Sequence, residues 1–181
     1  MIKGIKSDYQ RYREYGAKPF VIIFMTQGFW ALFQYRIAHK IYQSKIPVLR
    51  RILLVICLFW QKWVEIIAGI SIPFSVKIGN GCYIGHFGNI IINANTVIGE
   101  MCNISQGVTI GISGRGASRG VPKIGNRVYI GANAVIAGKI DVGDDCVIGA
   151  NSLLNKSIDS GLTVQGVPAI IINTNSSKGY I

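Results

Sequence analysis

The chain has 181 residues, of which half are hydrophobic and 15% are charged, and it carries a net charge of +11. This composition excludes an intrinsically disordered protein, because disordered chains are poor in apolar residues. The charge is uneven: residues 1–69 hold 11 basic and 3 acidic residues (11 − 3 = +8), and residues 70–181 hold 8 and 5 (8 − 5 = +3). Basic residues beside large aromatics favour an anionic membrane surface over nucleic acid. No zinc-finger, bZIP or RNP spacing is present, so we expect no nucleic-acid partner.

The first predicted elements are helices between residues 18 and 69. A four-residue period predicts one helix with an apolar and a polar face. The predicted apolar face consists of Phe29, Phe33, Ile37 and Ile41. The predicted polar face consists of Arg36, His39, Lys40 and Gln43. Pro47 ends this helix, and the apolar run Ile52–Trp60 follows. No stretch has the roughly 20 apolar residues of a spanning helix. Two alternatives remain, namely an interfacial or re-entrant pair of helices at a membrane, and helices that pack on one another or on partner subunits.

From Ser71 onward, aliphatic residues recur every six positions and are often followed by a small residue. This period is typical of a parallel β-helix, in which three hexads close one triangular coil and the aliphatics stack inside. The predicted column consists of Ile78, Ile84, Ile90, Ile92, Ile98, Ile104, Ile110, Ile124, Ile130, Ile136, Val142, Ile148 and Leu154. Cys82, Cys102 and Cys146 occupy a second inward position, so we expect buried thiols rather than disulfides or a zinc site.

The hexads are interrupted once, at residues 112–122. This segment, ISGRGASRGVP, has three glycines, two arginines and no apolar period, which predicts an exposed, mobile loop at one corner of the coil. Loops that interrupt a rigid scaffold often carry function. The predicted organisation is a helical region over 1–69, a β-helix domain over 70–172 with this extruded loop, and a tail over 173–181.

His86 is the first candidate for a catalytic residue. The chain has two histidines, and we expect His39 to be a solvated or head-group-facing residue on the polar side of its helix. His86 lies in Gly85–Asn89, directly before a two-residue slip in the hexad phase. An imidazole at such an irregularity is suited to general-base chemistry near neutral pH. The alternative is a structural role, which is the commoner one for a lone histidine.

Three segments of the chain resemble the serine acetyltransferase-like hexapeptide acyltransferases. They are Lys77–Gly111, Pro122–Gly138 and the closing GVPA of Gly166–Ala169. The variants GHFG and NISQGVTIG are most similar to the branch of polysaccharide and capsule biosynthesis acetyltransferases. The resemblance covers somewhat over half of the chain and implies a left-handed parallel β-helix with an N-terminal helical appendage.

The resemblance also implies a reaction, namely acetyl transfer from acetyl-CoA to a hydroxyl without a metal. His86 matches the family's catalytic histidine, which removes the hydroxyl proton as the oxygen attacks the thioester carbonyl. The family's sites lie between adjacent β-helices of a homotrimer, and small residues let the pantetheine arm approach the coil. Basic residues of the loop would cover the substrate or the cofactor phosphates, unless they are only solvated charges. The cofactor contacts implied in this way are Gly111, Ala132, Ala150, Arg115 and Arg119. Lys123 forms with the two arginines a local positive patch for an anionic cofactor, so we predict it as a sixth contact.

Two departures from the family pattern bear on the acceptor. Ser71 stands where the family has an acidic residue that orients the catalytic histidine. Gly120–Pro122 replaces a stretch in which a histidine and an arginine help to hold serine. We therefore predict an O-acetyltransferase that acts on a glycan or glycan precursor in surface-polysaccharide biosynthesis. It would be cytoplasmic and peripheral at the inner face of the plasma membrane. The alternatives are a serine O-acetyltransferase and a non-catalytic β-helix scaffold docked at the membrane.

Overall fold

The computed structural model describes residues 2–181, in which helices precede a coil of short strands. The helices are α1 (Ile2–Glu14), α2 (Pro19–Met25), α3 (Gln27–Tyr42) and α4 (Pro47–Ala68). Pro19 and Pro47 each stand at the start of a helix, where the missing N–H costs no hydrogen bond. Gly69 follows α4 with a φ of 65°, the left-handed conformation that ends many helices.

Each turn of the β-helix contributes one strand to each of three sheets, because a strand pairs with the equivalent strand of the next coil. They are β1 (Ile70–Ser71), β2 (Lys77–Ile78), β3 (Tyr83–Ile84), β4 (Ile90–Ile92), β5 (Val97–Ile98), β6 (Asn103–Ile104), β7 (Thr109–Gly111), β8 (Lys123–Ile124), β9 (Tyr129–Ile130), β10 (Val135–Ala137), β11 (Asp141–Val142), β12 (Val147–Ile148), β13 (Leu153–Leu154), β14 (Thr163–Gly166) and β15 (Ala169–Asn173). Sheet A runs β1-β4-β7-β10-β13, sheet B runs β11-β8-β5-β2, and sheet C runs β15-β14-β12-β9-β6-β3. Successive coils pair in parallel, and the antiparallel pair β14–β15 follows at the C-terminal end. The predicted parallel β-helix is confirmed.

The predicted column of aliphatics forms the core of this β-helix. Each of its residues is at most 8% exposed, and equivalent residues lie in register, such as Ile110 with Ile136. Cys82, Cys102 and Cys146 are fully buried, and burial raises the pKa of the Cys102 thiol to about 11. The three thiols are therefore protonated core residues, as the hexad position predicts.

Helix α3 packs against α4 and the first coil, and its buried side differs from the predicted one. Arg36 is 7% exposed although we assigned it to the polar face, whereas Phe33 of the predicted apolar face is 36% exposed. Arg36 donates through Nε and Nη2 to the carboxylate of Asp8 at 2.7 and 2.9 Å, and through Nη1 to the carbonyl oxygen of Ile78 at 2.7 Å. The assignment was wrong for Arg36, because a partner on another helix neutralises its buried charge, and for Phe33. Phe29 is buried and Lys40 and Gln43 are exposed, as predicted.

His39 is not the solvated residue that we expected. Its Nδ1 lies 2.7 Å from the carbonyl oxygen of Phe74, and its Nε2 lies 2.8 Å from Nε2 of Gln43. A carbonyl oxygen only accepts, so Nδ1 carries the hydrogen and Nε2 accepts from the Gln43 amide. The ring also packs against Tyr35, with 5.3 Å between centroids. His39 thus connects α3 to the turn between β1 and β2.

Residues 112–122 form a hairpin where we expected a loop without regular structure. Ser113 and Gly120 exchange two backbone hydrogen bonds of 3.1 and 3.0 Å, and a short 3-10 helix spans Gly116–Ser118. The hydroxyl of Ser118 donates to the carbonyl oxygen of Arg115 at 2.7 Å. Residues 112–119 are exposed, so the hairpin is an ordered protrusion on the β-helix.

No single helix within residues 2–181 is both long enough and apolar enough to cross a membrane. The pair α2 and α3, bent by 74°, meets these criteria only when the two helices are taken together. Contact between residues 18–69 and a membrane surface stays a prediction.

Candidate active site

A surface groove of about 480 Å³ runs along the corner at which the strands of sheet C end. Its residues belong to successive coils, and because neighbouring strands lie about 4.8 Å apart, residues distant in sequence form one continuous wall. The lining residues are His86, Ser105, Gln106, Tyr129, Gly131, Ala132, Val147, Gly149, Ala150, Gln165 and Tyr180. The coil geometry thus brings the candidate base together with a row of small residues.

His86 is exposed in the turn that leads from β3 to β4. Gly88 fixes this turn, because its N–H donates to the carbonyl oxygen of Ala68 at 2.8 Å and its own carbonyl accepts from the N–H of Gly107 at 2.9 Å. Gly88 and Asn89 adopt φ values of 105° and 51°, which accommodate the two-residue slip in the hexad phase. The imidazole therefore stands on a well-anchored turn and remains accessible.

Close stacking of the coils requires glycine at two positions in the groove. A Cβ added to Gly131 would lie 2.6 Å from the backbone nitrogen of Ala150, and one added to Gly149 would lie 2.9 Å from Cγ of Gln165. Ala132 and Ala150 follow these glycines and contribute only methyl groups. The floor of the groove is therefore backbone and small side chains, which a slender, flexible ligand can approach closely.

Two tyrosines line the same groove, and neither was predicted from the sequence. The rings of Tyr129 and Tyr180 lie 4.8 Å apart between centroids. The carbonyl oxygen of Tyr180 accepts from the hydroxyl of Tyr15 at 3.1 Å and from Nδ2 of Asn103 at 3.3 Å, so the tail folds back onto the β-helix. The outward hexad position of Tyr129 was an available signal, whereas the tail lies beyond the hexads and has no period to read. Sequence reasoning also missed the polar lining residues Ser105, Gln106 and Gln165.

Of the six predicted cofactor contacts, Ala132 and Ala150 line the groove beside His86. The other four lie outside this groove in the same chain: Gly111 ends β7 in sheet A, Lys123 begins β8 in sheet B, and Arg115 and Arg119 flank the 3-10 helix of the hairpin between them. No cluster of three or more His, Cys, Asp or Glu side chains that could hold a metal occurs within residues 2–181.

A carboxylate lies beside Ser71, although position 71 itself is not acidic. The Ser71 hydroxyl donates to Oε1 of Glu65 at 2.8 Å, and Gln61 and Lys62 donate to the same carboxylate. Burial alone would raise the pKa of Glu65, but these hydrogen bonds outweigh it and hold the pKa below its usual value. Glu65 is thus ionised at neutral pH on the last turn of α4, the turn whose Ala68 carbonyl anchors the His86 turn.

A triangular coil with a histidine and small residues along one corner defines a hexapeptide-repeat transferase. Residues 122–156 match the family model described as bacterial transferase hexapeptide (six repeats). The chain is 35% identical over 148 residues to a serine acetyltransferase of Helicobacter pylori, and the match covers 82% of each chain. This protein belongs to the serine acetyltransferase family.

Two further comparisons agree with this assignment. The chain is 32% identical over 151 residues to a serine acetyltransferase of Synechococcus elongatus, which covers 83% of this chain and 59% of that protein. The structure of a serine acetyltransferase from Brucella abortus in complex with coenzyme A matches with a TM-score of 0.82 at 28% identity, over 96% of this chain and 68% of that one. The predicted left-handed β-helix and the predicted family are confirmed. The chain spans about three fifths of the length of the Synechococcus relative.

The prediction of a glycan O-acetyltransferase was wrong. The relatives that match most of the chain at 32–35% identity are named serine acetyltransferases. The prediction rested on the variants GHFG and NISQGVTIG, on Ser71 and on Gly120–Pro122, which together are only a few positions. Such positions weigh less than similarity over the whole scaffold, because many coils together build the groove and hold the histidine turn.

Proposed function

We propose that this protein transfers the acetyl group of acetyl-CoA to the hydroxyl of L-serine. The observation that carries the proposal is the corner groove, in which the exposed His86 shares one surface with the small-residue floor at Ala132 and Ala150. Relatives named serine acetyltransferase support the acceptor, and the neighbour solved with coenzyme A supports the donor.

In the proposed reaction, His86 is the general base. Its neutral imidazole accepts the proton of the serine hydroxyl as the oxygen attacks the thioester carbonyl carbon. The tetrahedral intermediate then collapses, the C–S bond breaks, and the proton passes from His86 to the departing sulfur. The products are O-acetylserine and coenzyme A. General-base catalysis of this kind accelerates a reaction by about 10²–10⁴-fold.

We further propose that the active site is completed between the subunits of a homotrimer. The pantetheine arm would lie along the small residues of one subunit, beside Ala132 and Ala150. The hairpin of a neighbouring subunit would bring Arg115 and Arg119 to the cofactor phosphates, with Gly111 and Lys123 at its base. Guanidinium groups suit this role because they form paired hydrogen bonds with phosphate oxygens.

The test is a thiol-release assay with acetyl-CoA and L-serine, with D-serine and L-threonine as matched acceptors. Release that depends on L-serine and exceeds the rate with either control supports the proposal. A chain that binds coenzyme A in calorimetric titration but releases no thiol with L-serine above the hydrolysis rate would contradict it. Loss of coenzyme A binding in a monomeric variant, with binding intact in the trimer, would support the intersubunit site.

We also propose that residues 18–69 contact an anionic membrane surface, at the inner face of the plasma membrane. The motivation is the +8 charge excess of residues 1–69, together with the aromatic residues of the same region. Sedimentation with vesicles of phosphatidylcholine, alone or mixed with phosphatidylglycerol, tests this contact. Binding that requires phosphatidylglycerol and is released by salt is the expected result, whereas equal binding to both vesicle types would contradict an electrostatic contact.

A further inference from the structure

We propose that α2 and α4 form one apolar docking face that enters the interfacial layer of an anionic phospholipid membrane. The proposal rests on the membrane contact described above and deepens it, because it names the surface, its orientation and the lipid. The docking face is the outward side of α4, with Ile52, Phe59 and Ile66, and the outward side of α2, with Phe20 and Phe24.

Helix α4 has two apolar sides, and the protein covers only one of them. Cys57, Val64 and Ala68 are buried on the side that packs against α3. Phe59 and Ile66 lie seven residues apart on the other side and are 69% and 76% exposed. Residues seven apart on a helix share one line along its surface. The outward line of α4 therefore places large apolar side chains in contact with solvent, a pattern typical of a docking surface.

An apolar groove of about 640 Å³ lies beside this line and joins α4 to the other helices. Ile23 of α2, Phe33 of α3 and Ile5 of α1 line it. All three tryptophans of the chain, Trp30, Trp60 and Trp63, line it as well. Tryptophan is enriched where a protein meets the boundary between lipid head groups and acyl chains. The groove and the outward line of α4 thus form one continuous aromatic and aliphatic surface.

The charges of the helical region point to an anionic occupant. Its three acidic residues are each held by a basic residue of the same region: Asp8 by Arg36, Glu14 by Arg11, and Glu65 by Lys62. Eight basic residues have no acidic partner within residues 2–181, and they are Lys3, Lys6, Arg13, Lys18, Lys40, Lys45, Arg50 and Arg51. The +8 charge excess of residues 1–69 therefore corresponds to eight basic side chains that have no acidic partner in the folded helical region.

Several of these basic residues border the docking face. Lys6 lines the apolar groove, and Lys18 directly precedes α2. Arg51 is exposed on the first half of α4, beside the outward line that begins at Ile52. An apolar face with a basic border is the pattern of helices that lie in an anionic membrane surface. A second copy of the chain would instead bring two sets of unpaired basic residues together, which like-charge repulsion opposes.

The tryptophans allow a direct measurement of insertion, because all three lie in the groove. Wild-type protein is mixed with vesicles of phosphatidylcholine and phosphatidylglycerol that carry bromine on their acyl chains. The expected result is a blue shift of the tryptophan emission and quenching by the brominated lipid, with neither change in pure phosphatidylcholine vesicles. Vesicle binding without quenching would overturn the insertion while leaving the electrostatic contact in place. The thiol-release assay is independent of both outcomes.

A double variant tests the docking face itself. F59E/I66E places two charges on the outward line of α4, and I170E places one on the equally exposed β15 as a matched control. We expect F59E/I66E to lose vesicle partitioning by about tenfold or more, with I170E like wild type and thiol release unchanged in F59E/I66E. Unchanged partitioning of F59E/I66E would overturn the proposal. So would a change in its oligomeric state by analytical ultracentrifugation without vesicles, since that outcome would mean that a second copy covers the face.

Discussion

The helical region (residues 2–68) and the β-helix (residues 70–173) are held in place by different kinds of contact. The β-helix repeats one arrangement, in which an inward aliphatic stacks on the next coil and a parallel strand pair joins them. The helical region also buries apolar side chains, such as Ile22 and Leu32, but its polar contacts with the β-helix are single ones that are not repeated. The hydroxyls of Tyr12 and Tyr35 donate to the carbonyl oxygens of Ile84 and Val76, each at 2.8 Å.

This difference has a consequence for stability. A coil is supported by equivalent contacts above and below it, so the loss of one contact leaves many others of the same kind. The helices are positioned by apolar packing together with a few buried polar groups, and each of these polar groups costs much free energy if its partner is removed. We therefore expect single substitutions to perturb the helical region more than the outer surface of the β-helix.

The largest expected effect is a difference in kcat between variants of the two histidines, His86 in the β-helix and His39 in the helical region. His86→Ala should lower kcat by about 10²–10⁴-fold because it removes the proposed general base, with the far-UV spectrum unchanged. His39→Ala should leave kcat unchanged and destabilise the protein by about 1 kcal/mol, because the carbonyl of Phe74 loses its donor. Thiol release and urea unfolding measure the two quantities. Wild-type turnover in His86→Ala would refute the assignment of the base.

The second effect compares a buried and an exposed ion pair. Arg36→Met should destabilise the protein by about 3–5 kcal/mol, because the Asp8 carboxylate is left buried without its partner. Arg127→Met removes an exposed partner of Asp145 and should shift the urea midpoint far less. The measurement is urea unfolding at a fixed protein concentration. Similar midpoints for the two variants would mean that the Asp8–Arg36 pair does not hold the helices in place.

A third effect tests the joint between the two regions. A Cβ on Gly28 of α3 would lie 2.1 Å from the carbonyl oxygen of Ile84 in β3, so Gly28→Ala must move α3 away from the first coil. We expect a loss of about 1–3 kcal/mol. Gly111→Ala is the control, because its Cβ would meet only Cγ2 of Thr109 at 3.9 Å. Equal thermal midpoints for both variants would show that this close approach is not needed for docking.

The smallest expected effect is a pH dependence of the thermal stability, which arises from an ion pair on the surface of the β-helix. A hydrogen bond from Arg127 holds the pKa of Asp145 below its usual value. A depressed carboxyl pKa stabilises the fold above the unfolded-state pKa of about 3.9, and this contribution is lost as the pH falls through the folded-state pKa. Asp145→Asn should therefore lower Tm slightly at pH 6 and not at pH 2. Asparagine also tolerates the left-handed backbone at this position, where φ is 59°. An equal loss of Tm at both pH values would point to packing rather than charge.

Much of the β-helix could be predicted from the sequence, because its signal is local. The aliphatic position of each hexad predicts which side chain points inward, so Ile130 and Ile136 could be assigned to the core without knowledge of the other coils. The faces of α3 could not be predicted in the same way. The burial of Arg36 depends on Asp8, which is 28 residues away and on another helix.

The same distinction holds for the candidate site, where some residues could be predicted from the sequence and others could not. The irregular hexad indicated His86 as a candidate base, and the family resemblance implied Ala132 and Ala150, which line the same groove. The position of Tyr180 depends on Asn103, which is 77 residues away, and no hexad follows to give the tail a register. The resemblance to the family supplied the expected chemistry, and the similarity of the whole chain to serine acetyltransferases overturned the prediction of a glycan acceptor.

The sequence by itself determined the repeat, the register of the coils and the charge excess of the first 69 residues. These properties follow from residue spacing and composition, which can be read from the sequence without knowledge of the fold. Only the tertiary structure decided that the three acids of the helical region are paired and that α4 leaves an apolar side uncovered. It also decided that His86 shares a groove with two tyrosines. These features depend on contacts between distant segments, and the burial of a charge or an aromatic ring is decided by the partner that the fold brings to it.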